Sequence, residues 1–144
     1  MIFIVDASVA VRWFIEEELH PNANTILEKL IDEPSKFAVP ELFAFEVYSV
    51  LHRIHPDALS AFCNGVIPIL QSGILRQPMT DSLAKGALRF IKLGLTGYDA
   101  CYAALADEVG GLWLTFDKKA HEKIAHEQVS CCIEKGLPPF EQPY

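Results

Sequence analysis

The sequence predicts an α/β fold, a single domain over residues 1–144 with a mostly parallel central sheet and helices on both of its faces. Three observations predict it. Short, apolar, β-branched runs such as Ile2-Phe3-Ile4-Val5 and Leu112-Trp113-Leu114-Thr115-Phe116 lack polar alternation and read as strands buried on both faces. Helical segments with start and stop signals separate these runs, so strand and helix alternate along the chain. Such alternation implies parallel pairing through right-handed crossovers.

Taken in order, Ile2–Val5 is the first strand, and Asp6-Ala7-Ser8 opens a helix through Phe14. Pro21 starts a second helix that runs to about residue 32 and stops near Pro34. Lys36-Phe37-Ala38-Val39 is a short strand closed by Pro40. The helix carrying Glu46 follows, apolar enough over residues 40–51 to be buried throughout, and Pro56 interrupts it before helix resumes at Asp57. Ile74–Pro78 reads as a strand after a turn at Gly73. Thr80 or Asp81 caps a helix to about Leu93, ended by Gly94. Thr96-Gly97-Tyr98-Asp99 begins an alanine-rich helix, Ala100 to Glu108, stopped by Gly110-Gly111. Asp117 leads from the fourth strand into a helix through His126, and Val129–Ile133 is a last strand. The tail from Gly136 to Phe140 is extended.

Composition narrows the function. With 51% hydrophobic and 22% charged residues, the chain is a folded domain rather than a disordered one. A net charge of −7 argues against a polybasic nucleic-acid binder, though not against a nuclease whose acids hold metal. No apolar run approaches the ~20 residues needed to span a bilayer, and the N-terminus has no signal-peptide pattern. Cys63, Cys101, Cys131 and Cys132 show no CxxC spacing. They read as packing residues of a protein of the reducing cytoplasm.

Four acids stand out by placement. In a parallel sheet all strand C-termini share one edge, where open α/β folds bind ligands. Asp6 follows the first strand and Asp117 the fourth. Asp99 lies in the first turn of a helix, and helix N-termini border the same edge. Glu46 sits mid-helix beside Leu42, Phe43, Ser49 and Val50, with no Lys or Arg within one turn. Asp6 and Asp117 are also good N-caps, and Thr96-x-x-Asp99 fits a capping box, so these three alone carry a purely structural reading. Glu46 cannot be a cap. A carboxylate on an apolar face is costly without a positive partner, and a bound cation at the meeting point of the four acids resolves that cost. All-oxygen ligation suits Mg²⁺ or Mn²⁺, and phosphodiester hydrolysis is the reaction class that such ions serve.

Four segments then carry a resemblance: Ile4-Val5-Asp6-Ala7-Ser8, Val39-Pro40 through Glu46-Val47, Leu95-Thr96-Gly97-Tyr98-Asp99-Ala100, and Leu114-Thr115-Phe116-Asp117-Lys118-Lys119. Together they resemble the PIN-domain nucleases, particularly the small VapC-like toxins of toxin–antitoxin modules. The resemblance implies a three-layer α/β/α sandwich, Mg²⁺-dependent endoribonuclease activity on RNA, a homodimer, and a small antitoxin as partner. Carried over by position, it implies an acid quartet of Asp6, Glu46, Asp99 and Asp117, supported by Ser8, with Thr115 able to hydrogen-bond the site.

Among the basic residues, Lys118 and Lys119 flank Asp117 and read either as steering an RNA phosphate or as ordinary surface residues at a helix start, and Arg12, one turn after Ser8, is a weaker candidate for the same role. Lys85, Arg89 and Lys92 form a stripe on one helix face that reads first as a solvated surface. Trp13, Phe14, Phe43, Phe45 and Trp113 read as core or dimer packing. Two competing functions follow from the residues. One is a phosphatase with an aspartyl nucleophile at Asp6, disfavoured because Ser8 stands where a second aspartate is usual. The other is a non-catalytic RNA- or protein-binding α/β module whose acids are helix caps.

Overall fold

Five short strands line up in parallel across the centre of the computed structural model, which describes residues 1–140. They are β1 (Phe3–Val5), β2 (Phe37–Pro40), β3 (Leu75–Gln77), β4 (Leu112–Thr115) and β5 (Ser130–Cys132), and their order in the sheet is β3-β2-β1-β4-β5. Ile4 at the centre pairs with Ala38 on one side and Trp113 on the other. The strands β1, β2 and β4 have almost no exposed surface, which is why their sequences carry no polar alternation.

Helices α1 (Ala7–Ala10) and α2 (Pro21–Asp32) connect β1 to β2, and α3 (Leu42–Ile54), α4 (Ala58–Ala61) and α5 (Ile67–Leu70) connect β2 to β3. The chain then returns through α6 (Asp81–Lys92) and α7 (Gly97–Glu108) to β4, and through α8 (Lys118–Ile124) to β5. Right-handed crossovers stepping in opposite directions place their helices on opposite faces. The result is a three-layer α/β/α sandwich, with α1 packed on α3 in one layer and α6 on α7 in the other. The direction reverses between β1 and β4, so the crevice at their C-terminal ends is the switch point where such sheets bind ligands. Among the described residues, no helix is long and apolar enough to cross a membrane.

Several expectations need correction. The helix opened at Asp6 is α-helical only to Ala10 and tightens into a 3₁₀ turn over Val11–Trp13. The alanine-rich helix, by contrast, begins as expected within Thr96–Asp99, at Gly97, where the Thr96 hydroxyl accepts from the Asp99 amide at 3.2 Å. The last strand is shorter than Val129–Ile133 and the third is a largely exposed edge. Helix α3 is not buried throughout: Phe43, Val47 and Leu51 form its covered stripe, while Phe45 is 75% exposed and Tyr48 44%. Only one side of α3 meets the sandwich, so its outer apolar side chains remain in solvent and Phe45 is no part of the core. The helix after Pro56 is broken by a wider π-turn over Phe62–Val66. The tail is tethered, with Phe140 packed edge-on against Phe3 at 5.0 Å between ring centres.

Candidate active site

At the end of β1 the chain leaves the sheet through Asp6, which is 5% exposed. Its carboxylate is held from three directions. The Ser8 hydroxyl donates to Oδ1 at 2.5 Å, the Val9 amide to Oδ1 at 3.3 Å, and the Trp113 indole to Oδ2 at 3.0 Å. Burial pushes the carboxyl up from 3.8 to about 6, against the pull of these hydrogen bonds, and the charge of Asp99 adds to the rise.

Ser8 also binds the exits of β1 and β4 together. Its Oγ accepts from the Phe116 amide at 3.0 Å and lies 3.4 Å from the Thr115 hydroxyl. Thr115 Oγ1 in turn accepts from the Asp117 amide at 3.0 Å. Asp117 caps α8 through the Ala120 amide and stands exposed at the rim. Ser8 and Thr115 therefore orient the two strand-end acids.

The other two acids come from the helical layers. Glu46 on α3 is half-buried and accepts from the Tyr102 hydroxyl at 2.7 Å. Its pKa is raised, first by burial and then by the charges of Asp6 and Asp99, with the Tyr102 bond opposing. Asp99 in the first turn of α7 is raised by burial and by Asp117, and lowered by Thr96 and Lys123. Asp6, Glu46, Asp99 and Asp117 line one cavity of about 230 Å³, together with Ser8 and Tyr102. A larger cavity of about 400 Å³ adjoins it through Glu46 and Val50, bringing Arg53 and Tyr98 to its edge.

The four predicted acids are thus brought together, drawn from β1, β4 and both helical layers. Among the described residues none of them forms an ion pair. Nor do any three His, Cys, Asp or Glu side chains among the described residues stand close enough together to hold a metal ion by themselves. The donor set nevertheless suits Mg²⁺ or Mn²⁺: hard oxygens only, in an open cavity, for ions that keep several waters and take one or two carboxylates.

Arg12 lies one turn beyond Ser8 with its guanidinium 4.1 Å above the Phe116 ring. One amino group reaches the Glu18 carbonyl at 3.4 Å, and its buried Nε has no hydrogen-bond partner among the described residues. Lys118 and Lys119 are both exposed, and Lys118 lies 3.9 Å from Glu122. Of the stripe on α6, Lys85 pairs with Asp81, and Arg89 with Asp107 and Glu127. Three residues at the site escaped the sequence reading. Tyr102 lies one turn after Asp99, Trp113 reads as plain core, and Lys123 sits on α8 where only its charge hints at Asp99.

Comparison with known proteins agrees with this fold. Ribonuclease VapC3 of Pyrobaculum aerophilum is 28% identical over 131 residues, covering 86% of this chain and 95% of that protein. The Mycobacterium tuberculosis toxin VapC20, described as cleaving the sarcin-ricin loop, superimposes with a TM-score of 0.61 at 16% identity, over 83% of this chain and 93% of that one. A toxin–antitoxin complex from Klebsiella pneumoniae matches with a TM-score of 0.60 at 16% identity, over 96% and 98%. The profile of the PIN domain family spans residues 3–127, which takes in every acid of the cavity, and the chain belongs to that family.

Proposed function

We propose that this chain is a divalent-metal-dependent endoribonuclease and the toxin of a toxin–antitoxin pair. One observation carries the reading: four carboxylates from distant segments line a single cavity at the switch point of the sheet, and among the described residues none of them is in an ion pair. Three of the four have their pKa raised by burial, a cost that a functional site sustains for its ligand. The ribonuclease and toxin descriptions of the similar proteins support the same reading.

In this reading Asp6, Glu46, Asp99 and Asp117 are the catalytic and metal-holding acids. A bound Mg²⁺, or Mn²⁺ in its place, would neutralise the scissile phosphate and lower the pKa of an attacking water. Ser8 and Thr115 keep the acids at the strand ends aligned. Arg12, Lys118 and Lys119 take the flanking phosphates of the RNA. The partner is a small antitoxin protein, as in the toxin–antitoxin complexes of similar fold. The working form is a homodimer, supported by the apolar side chains that α3 leaves in solvent, and its setting is the reducing cytoplasm, where the four free cysteines stay reduced.

The test is cleavage of single-stranded RNA by purified protein with Mg²⁺ or Mn²⁺ and with EDTA. Asp6→Asn and Asp99→Asn are expected to stay folded by circular dichroism and to lose the metal-dependent cleavage by at least about a hundredfold, the scale on which electrostatic groups act in such sites. Undiminished cleavage in both variants would defeat the assignment. The non-catalytic alternative keeps one point in its favour, because Asp6 and Asp117 do cap α1 and α8. It requires a melting temperature indifferent to Mg²⁺ and Mn²⁺, whereas preferential ion binding to the fold raises it by mass action.

A further inference from the structure

Two of the acids are gripped by aromatic side chains that the assignment above leaves without a role. Tyr102 of α7 is 1% exposed and Trp113 of β4 is 0% exposed. Their rings stack at 6.1 Å between centroids with an interplanar angle of 11°. The Tyr102 hydroxyl donates to Glu46 Oε1 at 2.7 Å, and the Trp113 indole donates to Asp6 Oδ2 at 3.0 Å. Two rings in mutual contact therefore each hold one carboxylate, and the two carboxylates belong to different layers of the sandwich.

The chemistry of these donors matters as much as their position. An indole N–H donates only. The Tyr102 phenol O–H likewise donates to the acid and carries no charge of its own. A lysine or arginine in either place would fix the carboxylate but would also neutralise it and compete with an incoming cation. A neutral donor fixes one oxygen and leaves the full negative charge available. Hydrogen bonds of this kind to ligating carboxylates tune metal affinity without touching the ion.

We propose that the stacked Tyr102–Trp113 pair is a positioning device that sets the Glu46 and Asp6 carboxylates in fixed relation, and thereby sets the affinity of the cavity for a divalent cation. This rests on the metal-holding role of those acids argued above. Tyr102 and Trp113 are positioning residues that act through the carboxylates they hold. Stacking couples them: displacing either ring loosens the grip on both acids.

Tyr102→Phe is the decisive variant, since it removes one hydroxyl and keeps the stacked ring. The measurement is a Mn²⁺ titration of the full chain followed by the rise in melting temperature and by calorimetry, with no RNA present. The expected result is a metal dissociation constant weakened about 10- to 100-fold. Cleavage should show the same shift in the Mn²⁺ concentration for half-maximal rate, with the rate largely recovered at saturating metal. A metal-free melting temperature lowered while the titration midpoint stays at the wild-type value would mean a merely structural hydroxyl and would overturn the proposal. An unchanged titration in a fully stable variant overturns it equally. If wild-type protein itself shows no Mn²⁺ response, the metal-holding assignment fails and takes the proposal with it, an outcome distinct from the first two.

Discussion

In the unfolded chain the Asp6 carboxyl ionises near about pH 3.9, whereas burial in the fold pushes it up to about 6. Between those values the folded protein binds more protons than the unfolded chain, so stability falls as pH rises through the window and the full loss is present above it. At roughly 1.4 kcal/mol for each tenfold change in protonation, the buried charge costs the metal-free fold roughly 3 kcal/mol above pH 6. Glu46 and Asp99 are raised as well, so they act in the same direction. In EDTA the melting temperature is therefore expected to drop as pH is raised from about 4 to about 7, and Asp6→Asn should flatten most of that slope. Adding Mn²⁺ should reverse the trend, because only ionised carboxylates bind the cation and binding stabilises the fold. A metal-free melting temperature that climbs steadily over the same range would contradict the burial of Asp6. Much of this was legible in the sequence, because Asp6 and Asp117 follow apolar strands directly and Glu46 stands alone on an apolar stretch. The donors were not legible: Tyr102 lies 56 residues from Glu46 and Trp113 lies 107 from Asp6, and no local pattern encodes such pairs.

Strands and helices that are punctuated by their own residues were the readable ones. Helix α2 runs from Pro21 to Asp32 with proline on both sides, and α6 starts where the Thr80 hydroxyl accepts from the Leu83 amide. The break between α4 and α5 was hidden because it depends on distant packing. A Cβ on Gly65 would lie 2.3 Å from the Phe14 ring, so that turn is shaped by a side chain 51 positions earlier in the chain, while Pro68 offers no amide to the helical ladder. Gly111 is a stricter case. A Cβ there would stand 2.1 Å from the Ile2 carbonyl oxygen, the same atom that accepts from the Leu112 amide at 3.0 Å where β4 meets β1. Neither backbone can yield without disturbing the register that brings Asp6 beside Asp117. Gly111→Ala is expected to lower stability by about 3 kcal/mol, the upper range for forced overpacking. Gly110→Ala, at a φ of 63° with open space around it, should cost only about 1 kcal/mol. Urea denaturation of the two variants checks the order, and equal effects would refute the steric account.

The sandwich covers its sheet on both faces yet leaves α3 half-clothed, and that asymmetry bears on assembly. Phe45 and Tyr48 point outward from the helix whose flank carries Glu46, so a contact made there would also brace the acid cavity. In a two-fold dimer each side chain enters the interface twice. Full burial of a phenylalanine is worth about 1.5–3 kcal/mol, so replacing Phe45 by a charge removes about 3–6 kcal/mol from the pair. Phe45→Glu is therefore expected to weaken self-association by roughly two to four decades in dissociation constant. It should leave the monomer's fold intact, because Phe45 makes no part of the core. Sedimentation equilibrium over a range of concentrations reads the shift directly, with circular dichroism as the control for folding. A wild-type chain that stays monomeric at high concentration would refute the homodimer, and a Phe45→Glu variant that associates as tightly as wild type would place the contact away from α3.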